Sequence, residues 1–135
     1  MKKPQSPSLI SLESRSSTTG TLTIMEGTND IPFAIARIFY ISESEPSLRG
    51  EHAHLLCNQA LVCLSGEIEV ICWDGFNETS WILSESNKCL HIPPMIWSSQ
   101  KYKKKDSLLL VACDRPYEEE DYVRELKKYQ DMIMP

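Results

Sequence analysis

No apolar run in this 135-residue chain approaches the ~20 residues that a membrane-spanning helix requires. The opening stretch, Met1-Lys2-Lys3-Pro4-Gln5-Ser6, leads into Ser and Thr where a secretory signal would carry an apolar core. A soluble, cytoplasmic protein is therefore expected. A basic excess is missing as well. The 14 Lys and Arg stand against 19 Asp and Glu, a net charge of −5, which argues against nucleic acid as the main partner. A local basic patch would still suffice for a diphosphate. The five cysteines (Cys57, Cys63, Cys72, Cys89, Cys113) show no Cys-x-x-Cys spacing, are odd in number and sit mostly in apolar runs. That pattern predicts reduced, buried thiols and no disulfide framework. Histidine is scarce, three in all, and two of the three are separated by a single residue.

What is present reads as β-structure. Short apolar or alternating runs are separated by turn signals, the pattern of an all-β sandwich or barrel. Strands are expected at Gly20 to Glu26, Ile31 to Ile41, His52 to Leu56, Gln59 to Leu64, Ile68 to Trp73, Thr79 to Leu83, Cys89 to Ile92 and Leu108 to Ala112. Ser65-Gly66-Glu67 and Asp74-Gly75 mark tight turns. Residues 1–19, rich in Ser and Thr, are expected to be loosely ordered except around Ile10 and Leu12, and residues 20–135 to form a single domain. Lys101-Tyr102-Lys103-Lys104-Lys105 reads as a solvated hairpin turn. Only the tail changes period: from Glu118 to Met132 the spacing of Tyr122, Leu126, Tyr129 and Ile133 predicts a helix that starts with acidic residues.

His52 and His54 lie on a predicted strand, so both imidazoles project to one face. The run is Arg49-Gly50-Glu51-His52-Ala53-His54, followed by Gln59 and Gly66. It resembles the first motif of the cupin family, with Gln59 where a glutamate is usual. The second cupin motif, P-x-G-x-x-H, has as its counterpart Ile92-Pro93-Pro94-Met95-Ile96-Trp97-Ser98, which lacks the Gly and the His. Two imidazoles and a neutral amide make a poor site for Zn²⁺ or Fe²⁺, which take three or four protein ligands and favour an anionic one. No metal or other cofactor is expected, and the histidines are left available for proton transfer.

Further stretches extend the likeness: Gly20-x-Leu22 with Glu26, Ile31-Pro32-Phe33, Ile92-Pro93-Pro94-x-x-Trp97, and Tyr117 with Asp121-Tyr122-Val123-Arg124. Together, over residues 20 to 126 and in one order, they resemble the sugar 3,4-ketoisomerases that act on dTDP-4-keto-6-deoxyglucose. The resemblance implies a metal-free cupin-type β-barrel or jelly roll with a short C-terminal helix, working as a homodimer that often exchanges N-terminal strands. It also implies a dTDP-linked 4-keto-6-deoxyhexose as substrate, on the route to the 3-amino-3,6-dideoxyhexoses of bacterial surface polysaccharides such as the O-antigen of lipopolysaccharide. One departure is Leu55, which stands where the family commonly has a lysine after the second histidine.

Moving a carbonyl from C4 to C3 needs a base at C3, an electrophile for the enediolate oxygen and a proton for C4. Histidine suits the proton work because its ordinary pKa of about 6.5 lies near operating pH. His52 is the candidate base, as the resemblance implies, with His54 or Tyr40 carrying protons toward C4. Arginine suits an enediolate and a diphosphate, and Arg37, Arg49 and Arg124 fall in the matching stretches. Gln59 reads equally as a sugar contact or as a brace for a histidine. Tyr40 and Trp97 read either as site residues, a hydroxyl contact and a stacking ring, or as core. His91, alone before Ile92-Pro93-Pro94, reads as a satisfied strand histidine, and Glu118 to Asp121 as a helix start without catalytic meaning. A cupin that binds a nucleotide sugar without turning it over is the competing reading; it would not exchange the C3 proton.

Overall fold

The expected alternation is realised as strands paired antiparallel in a computed structural model that describes residues 3–134. In chain order the strands are β1 (Ser8–Ser11), β2 (Ser14–Ser16), β3 (Thr21–Thr23), β4 (Arg37–Glu43), β5 (Ser47–His54) and β6 (Gln59–Ser65). They continue as β7 (Ile68–Trp73), β8 (Glu78–Leu83), β9 (Lys88–Ile92), β10 (Trp97–Tyr102), β11 (Ser107–Cys113) and β12 (Tyr122–Val123), before helix α1 (Leu126–Ile133). One five-stranded sheet has the order β1-β9-β6-β11-β4, and a second has the order β12-β5-β10-β7-β8. The two pack face to face as an all-β jelly roll with one short C-terminal helix, the expected fold class. A small ribbon of β2 and β3 stands beside them.

The core lies between the sheets and follows the two-residue period of a strand. Leu61 and Cys63 of β6 and Leu109 and Val111 of β11 meet Ile68, Val70 and Cys72 of β7 across the interior. The alternate residues Ala60, Val62 and Ala112 point the other way, yet they too are buried. Leu12 and Ile31, with Met25, Phe33 and Ile35, cover that outer face. This double burial explains why β6 reads as a continuous apolar run, and it gives the N-terminal segment a packing role. β1 pairs with β9 from Ser8↔His91 to Ser11↔Lys88. The turns lie where the sequence marks them: Gly66 has φ +84° and packs against Ser107, and Asp74 Oδ1 accepts the N–H groups of Phe76 and Asn77 at 2.8 Å each.

Three expectations are corrected. The long strand drawn from Ile31 begins only at Arg37, because Ile31 to Ile35 turn across the outer face of the first sheet. β10 occupies part of the supposed Lys-rich turn, with Tyr102 fully buried in the core while Lys101 stays exposed. The tail is helical only from Leu126. Before it come a single 3₁₀ turn, Glu119–Asp121, and the strand β12, whose Tyr122 and Val123 pair with His54 and Ala53 of β5. Helical spacing failed here because Asp121 is anchored from outside its own segment: its carbonyl accepts the N–H of Leu55 at 2.9 Å. α1 then lies over the outer face of the second sheet, where buried Tyr129 and Ile133 pack with Ala53 and Val123. Full burial of such side chains contributes on the order of 1.5–3 kcal/mol each.

Candidate active site

β5 ends at the mouth of the jelly roll, and its last residues alternate. Ala53 faces the helix side, whereas His52 and His54 face inward. Two features hold this end in place. Gly50, at φ +86°, passes so close to Gln100 that an added Cβ would lie 2.6 Å from its Oε1, a geometry open in practice only to glycine. On the other side, the Pro93-Pro94 turn brings Met95 into the left-handed region at φ 64°, and its N–H donates to the carbonyl of His54 at 2.7 Å. The Ile92-Pro93-Pro94 stretch thus acts on the site by pinning the strand that carries the histidines.

A cavity of about 290 Å³ opens beside His52. Its apolar wall comes from Phe39, Ile41, Leu61, Leu109 and Val111, and its polar wall from Arg49, His52, Gln59, Gln100, Tyr122 and Arg124. The imidazole rings of His52 and His54 meet edge to face at 5.0 Å, and the Tyr122 ring lies 5.1 Å from the first and 4.3 Å from the second. Behind this cluster the buried His54 Nδ1 lies 3.0 Å from Asp121 Oδ2. A carboxylate oxygen only accepts, so Nδ1 carries the hydrogen and the neutral ring presents Nε2 as an acceptor. The other oxygen, Oδ1, accepts the N–H of Leu56 at 2.7 Å, which completes the carboxylate's seat.

The electrostatics favour a neutral base. Burial, seconded by the neighbouring His54, pushes the pKa of His52 down to about 4. Burial also lowers that of His54, against the hydrogen bond and charge of Asp121, which pull it up. The cavity arginines are held by carboxylates at the rim: Arg49 Nη1 donates to Glu43 Oε1 at 2.9 Å, and Arg124 grips Glu119 with Nε and Nη2 at 2.8 and 3.0 Å. Arg124, helped by the hydroxyl of Tyr117, holds the Glu119 carboxyl down to about 2. The Arg124 guanidinium lies over the Tyr122 ring at 4.2 Å.

The structure therefore gathers His52, His54, Arg49, Gln59 and Arg124, but it separates other candidates from them. Tyr40 is corrected: it is 71% exposed on the outer face of β4, where its neighbours Phe39 and Ile41 point into the cavity instead. Trp97 is corrected too, since it packs outside the barrel against Tyr129 at 5.6 Å. Arg37 lies outside the cavity lining, with Nη2 at 3.5 Å from Cys113 Sγ and its guanidinium between the rings of Phe39 and Tyr117. Buried Gln59 lines the cavity and donates to Cys113 Sγ at 3.9 Å. His91 bonds Asn58 Oδ1 at 2.8 Å, away from the cavity. The residues missed are Asp121, Tyr122, Glu119 and Gln100. A signal for one of them existed, because Tyr122 stands two residues before the expected Arg124 and shares its face if Asp121-Tyr122-Val123-Arg124 is extended.

Among the described residues, the group best placed to hold a cation is His54, Cys57 and Asp121, with donor atoms mutually within 4.8 Å. Both Asp121 oxygens are already engaged, and a hydrogen bond with Cys113, then burial, pushes the Cys57 thiol far up. A protonated thiol is a weak ligand.

Comparison with known proteins points in one direction. The model of the family described as "FdtA: WxcM-like, C-terminal" matches residues 5–134. The TDP-4-oxo-6-deoxy-alpha-D-glucose-3,4-oxoisomerase of Aneurinibacillus thermoaerophilus is 33% identical over 117 residues, covering 84% of this chain and 83% of that protein. The crystal structure of QdtA, a sugar 3,4-ketoisomerase from Thermoanaerobacterium thermosaccharolyticum in complex with TDP, superimposes with a TM-score of 0.90 at 31% identity, covering 94% of this chain and 93% of that one. A 3,4-ketoisomerase from Helicobacter canadensis gives a TM-score of 0.91 at 30% identity, covering 94% and 96%.

Proposed function

Because the chain belongs to the FdtA family, we propose that it is a sugar 3,4-ketoisomerase that converts dTDP-4-keto-6-deoxyglucose into a dTDP-3-keto-6-deoxyhexose. The observation that carries this reading is a half-buried imidazole, His52, kept unprotonated at neutral pH on the wall of a cavity that also presents two arginines. His52 takes the C3 proton, and the electrons move toward the C4 carbonyl oxygen. Arg49 and Arg124 supply fixed positive charge, one for the developing oxyanion and one for the diphosphate. Both are orientated in advance by Glu43 and Glu119, so little ordering remains to be done when an anion arrives. Gln59 and Gln100 offer amide groups to sugar hydroxyls. The apolar wall excludes water, which strengthens each of these interactions.

The C3 ketone so formed is the carbonyl that an aminotransferase would convert to the 3-amino-3,6-dideoxyhexose of a surface polysaccharide. Purified protein given dTDP-4-keto-6-deoxyglucose, with an aminotransferase to trap the ketone, should yield the 3-amino sugar by NMR. Replacing His52 by Asn removes the proton acceptor at similar volume, and turnover should fall by about 10²–10⁴ with affinity for the nucleotide sugar little changed. Binding without C3 proton exchange by the wild type would favour a non-catalytic nucleotide-sugar module. A homodimer is part of the proposal. Leu22, Ile38, Tyr40 and Leu64 are 59%, 58%, 71% and 44% exposed on β3, β4 and β6, and a second copy would cover such a surface. Light scattering at micromolar concentration tests it. No helix among the described residues is long and apolar enough to cross a membrane.

A further inference from the structure

The isomerisation leaves one proton without a carrier. Once His52 has taken the C3 hydrogen, C4 must receive a proton and the O3 hydroxyl must lose one. His54 is poorly placed for this: its Nδ1 is committed to Asp121, and the residue is 5% exposed and off the cavity wall. The titratable groups on the wall, among the described residues, are Arg49, His52, Tyr122 and Arg124. Guanidinium groups hold their protons too tightly to act as acids at neutral pH, and the amides of Gln59 and Gln100 are not acids. That leaves a phenol.

Tyr122 has the position as well as the chemistry. β12 places it directly opposite His54 in register, so its side chain shares the inner face with both histidines. Its ring lies within 5.1 Å of the His52 ring, close enough for the two residues to address neighbouring carbons of one sugar. A cation flanks it, the Arg124 guanidinium over the ring at 4.2 Å. Its positive charge attracts the phenolate oxygen that remains when the proton departs.

Resting on the isomerase reading above, we propose that Tyr122 is the catalytic acid that delivers the proton to C4. The steps balance without a redox partner. His52 removes the C3 hydrogen, the C3–C4 double bond forms and O4 becomes an enolate oxygen. Protonated His52 returns its proton to O4, giving the neutral enediol. The C3–C4 double bond then takes the Tyr122 proton at C4, the C3–O3 bond becomes the carbonyl, and the O3 proton passes to the phenolate. Tyr122 ends as it began.

The test is Tyr122→Phe, which keeps the ring and removes the acid, followed by NMR of dTDP-4-keto-6-deoxyglucose in deuterated buffer. The C3 hydrogen should still wash out at near the wild-type rate, while formation of the 3-keto sugar falls by about 10² or more. A loss of packing alone would slow both together. Unchanged isomerisation overturns the role of Tyr122 and leaves the isomerase standing; so does a folded variant that has lost both activities, since it places Tyr122 at the first step. A wild-type protein that neither exchanges nor isomerises the sugar overturns the isomerase reading itself. If Tyr122→Phe fails to fold, difluorotyrosine at position 122 keeps the shape and is more acidic. The alkaline limb of the kcat profile should then move to lower pH, and an unmoved limb overturns the proposal.

Discussion

Asp121→Asn is the most informative single change, because it alters a proton and a charge while leaving the shape almost intact. In the native protein the His54–Asp121 pair is buried on both sides, 6% and 8% exposed, with both carboxylate oxygens bonded. An Asn in the same place keeps the Oδ1 acceptor for the Leu56 N–H but turns two hydrogens toward His54 Nδ1. The imidazole must then accept at Nδ1 and carry its hydrogen on Nε2, the reverse of the native tautomer. Exchanging a charge-assisted hydrogen bond for a neutral one costs about 1–2 kcal/mol of stability. The Asp121→Ala change leaves both the Leu56 N–H and the His54 Nδ1–H without partners, and about 3–5 kcal/mol is expected. Because His54 packs against the rings of His52 and Tyr122, the reversed tautomer should displace both, and Asp121→Asn should lower kcat by about 10², a loss larger than its melting shift can explain. Thermal melts and isomerisation kinetics on the same samples separate the two effects. Turnover within about threefold of wild type, from a folded Asp121→Asn protein, would show that Asp121 merely ties β12 to β5 and would refute its coupling to the chemistry.

Four other outcomes are expected. The acid limb of kcat/KM should lie near pH 4, where His52 protonates in the free enzyme, well below the usual value of about 6.5. Stability should follow the same groups. His52, His54 and His91 resist protonation in the folded state, so their contribution is complete above about pH 6.5 and is lost as pH falls below it, for His52 down to about 4; His52→Asn should flatten that slope in Tm against pH. Gly50→Ala forces a side chain into the left-handed region at φ +86° and against Gln100, so it should cost about 1–2 kcal/mol or more and raise KM. Tyr40→Phe should leave kcat within about twofold of wild type, since its hydroxyl faces away from the cavity, and a larger loss would return Tyr40 to the site.

Much of this protein is decided locally and is legible in the chain. The alternation of β7 and β11, the turns at Gly66 and Asp74-Gly75, and the shared face of His52 and His54 all follow from a two-residue period and from turn chemistry, neither of which needs a distant partner. Other features depend on what packs against the strand. Both faces of β4 carry large apolar or aromatic residues, Ile38 and Tyr40 on one and Phe39 and Ile41 on the other, so periodicity alone left open which face meets the cavity. β10 carries no strand signature in the sequence because its inward residues Ser98 and Gln100 are buried yet polar, as a strand bordering a polar cavity requires. The tail from Glu118 offers helical spacing, but β5 recruits Tyr122 and Val123 as a strand and seats Asp121 on a histidine 67 positions earlier. Which segment satisfies a buried imidazole, and which side chain closes the wall opposite it, is a matter of long-range pairing between sheets. No local propensity encodes such pairing, and only the tertiary structure resolves it.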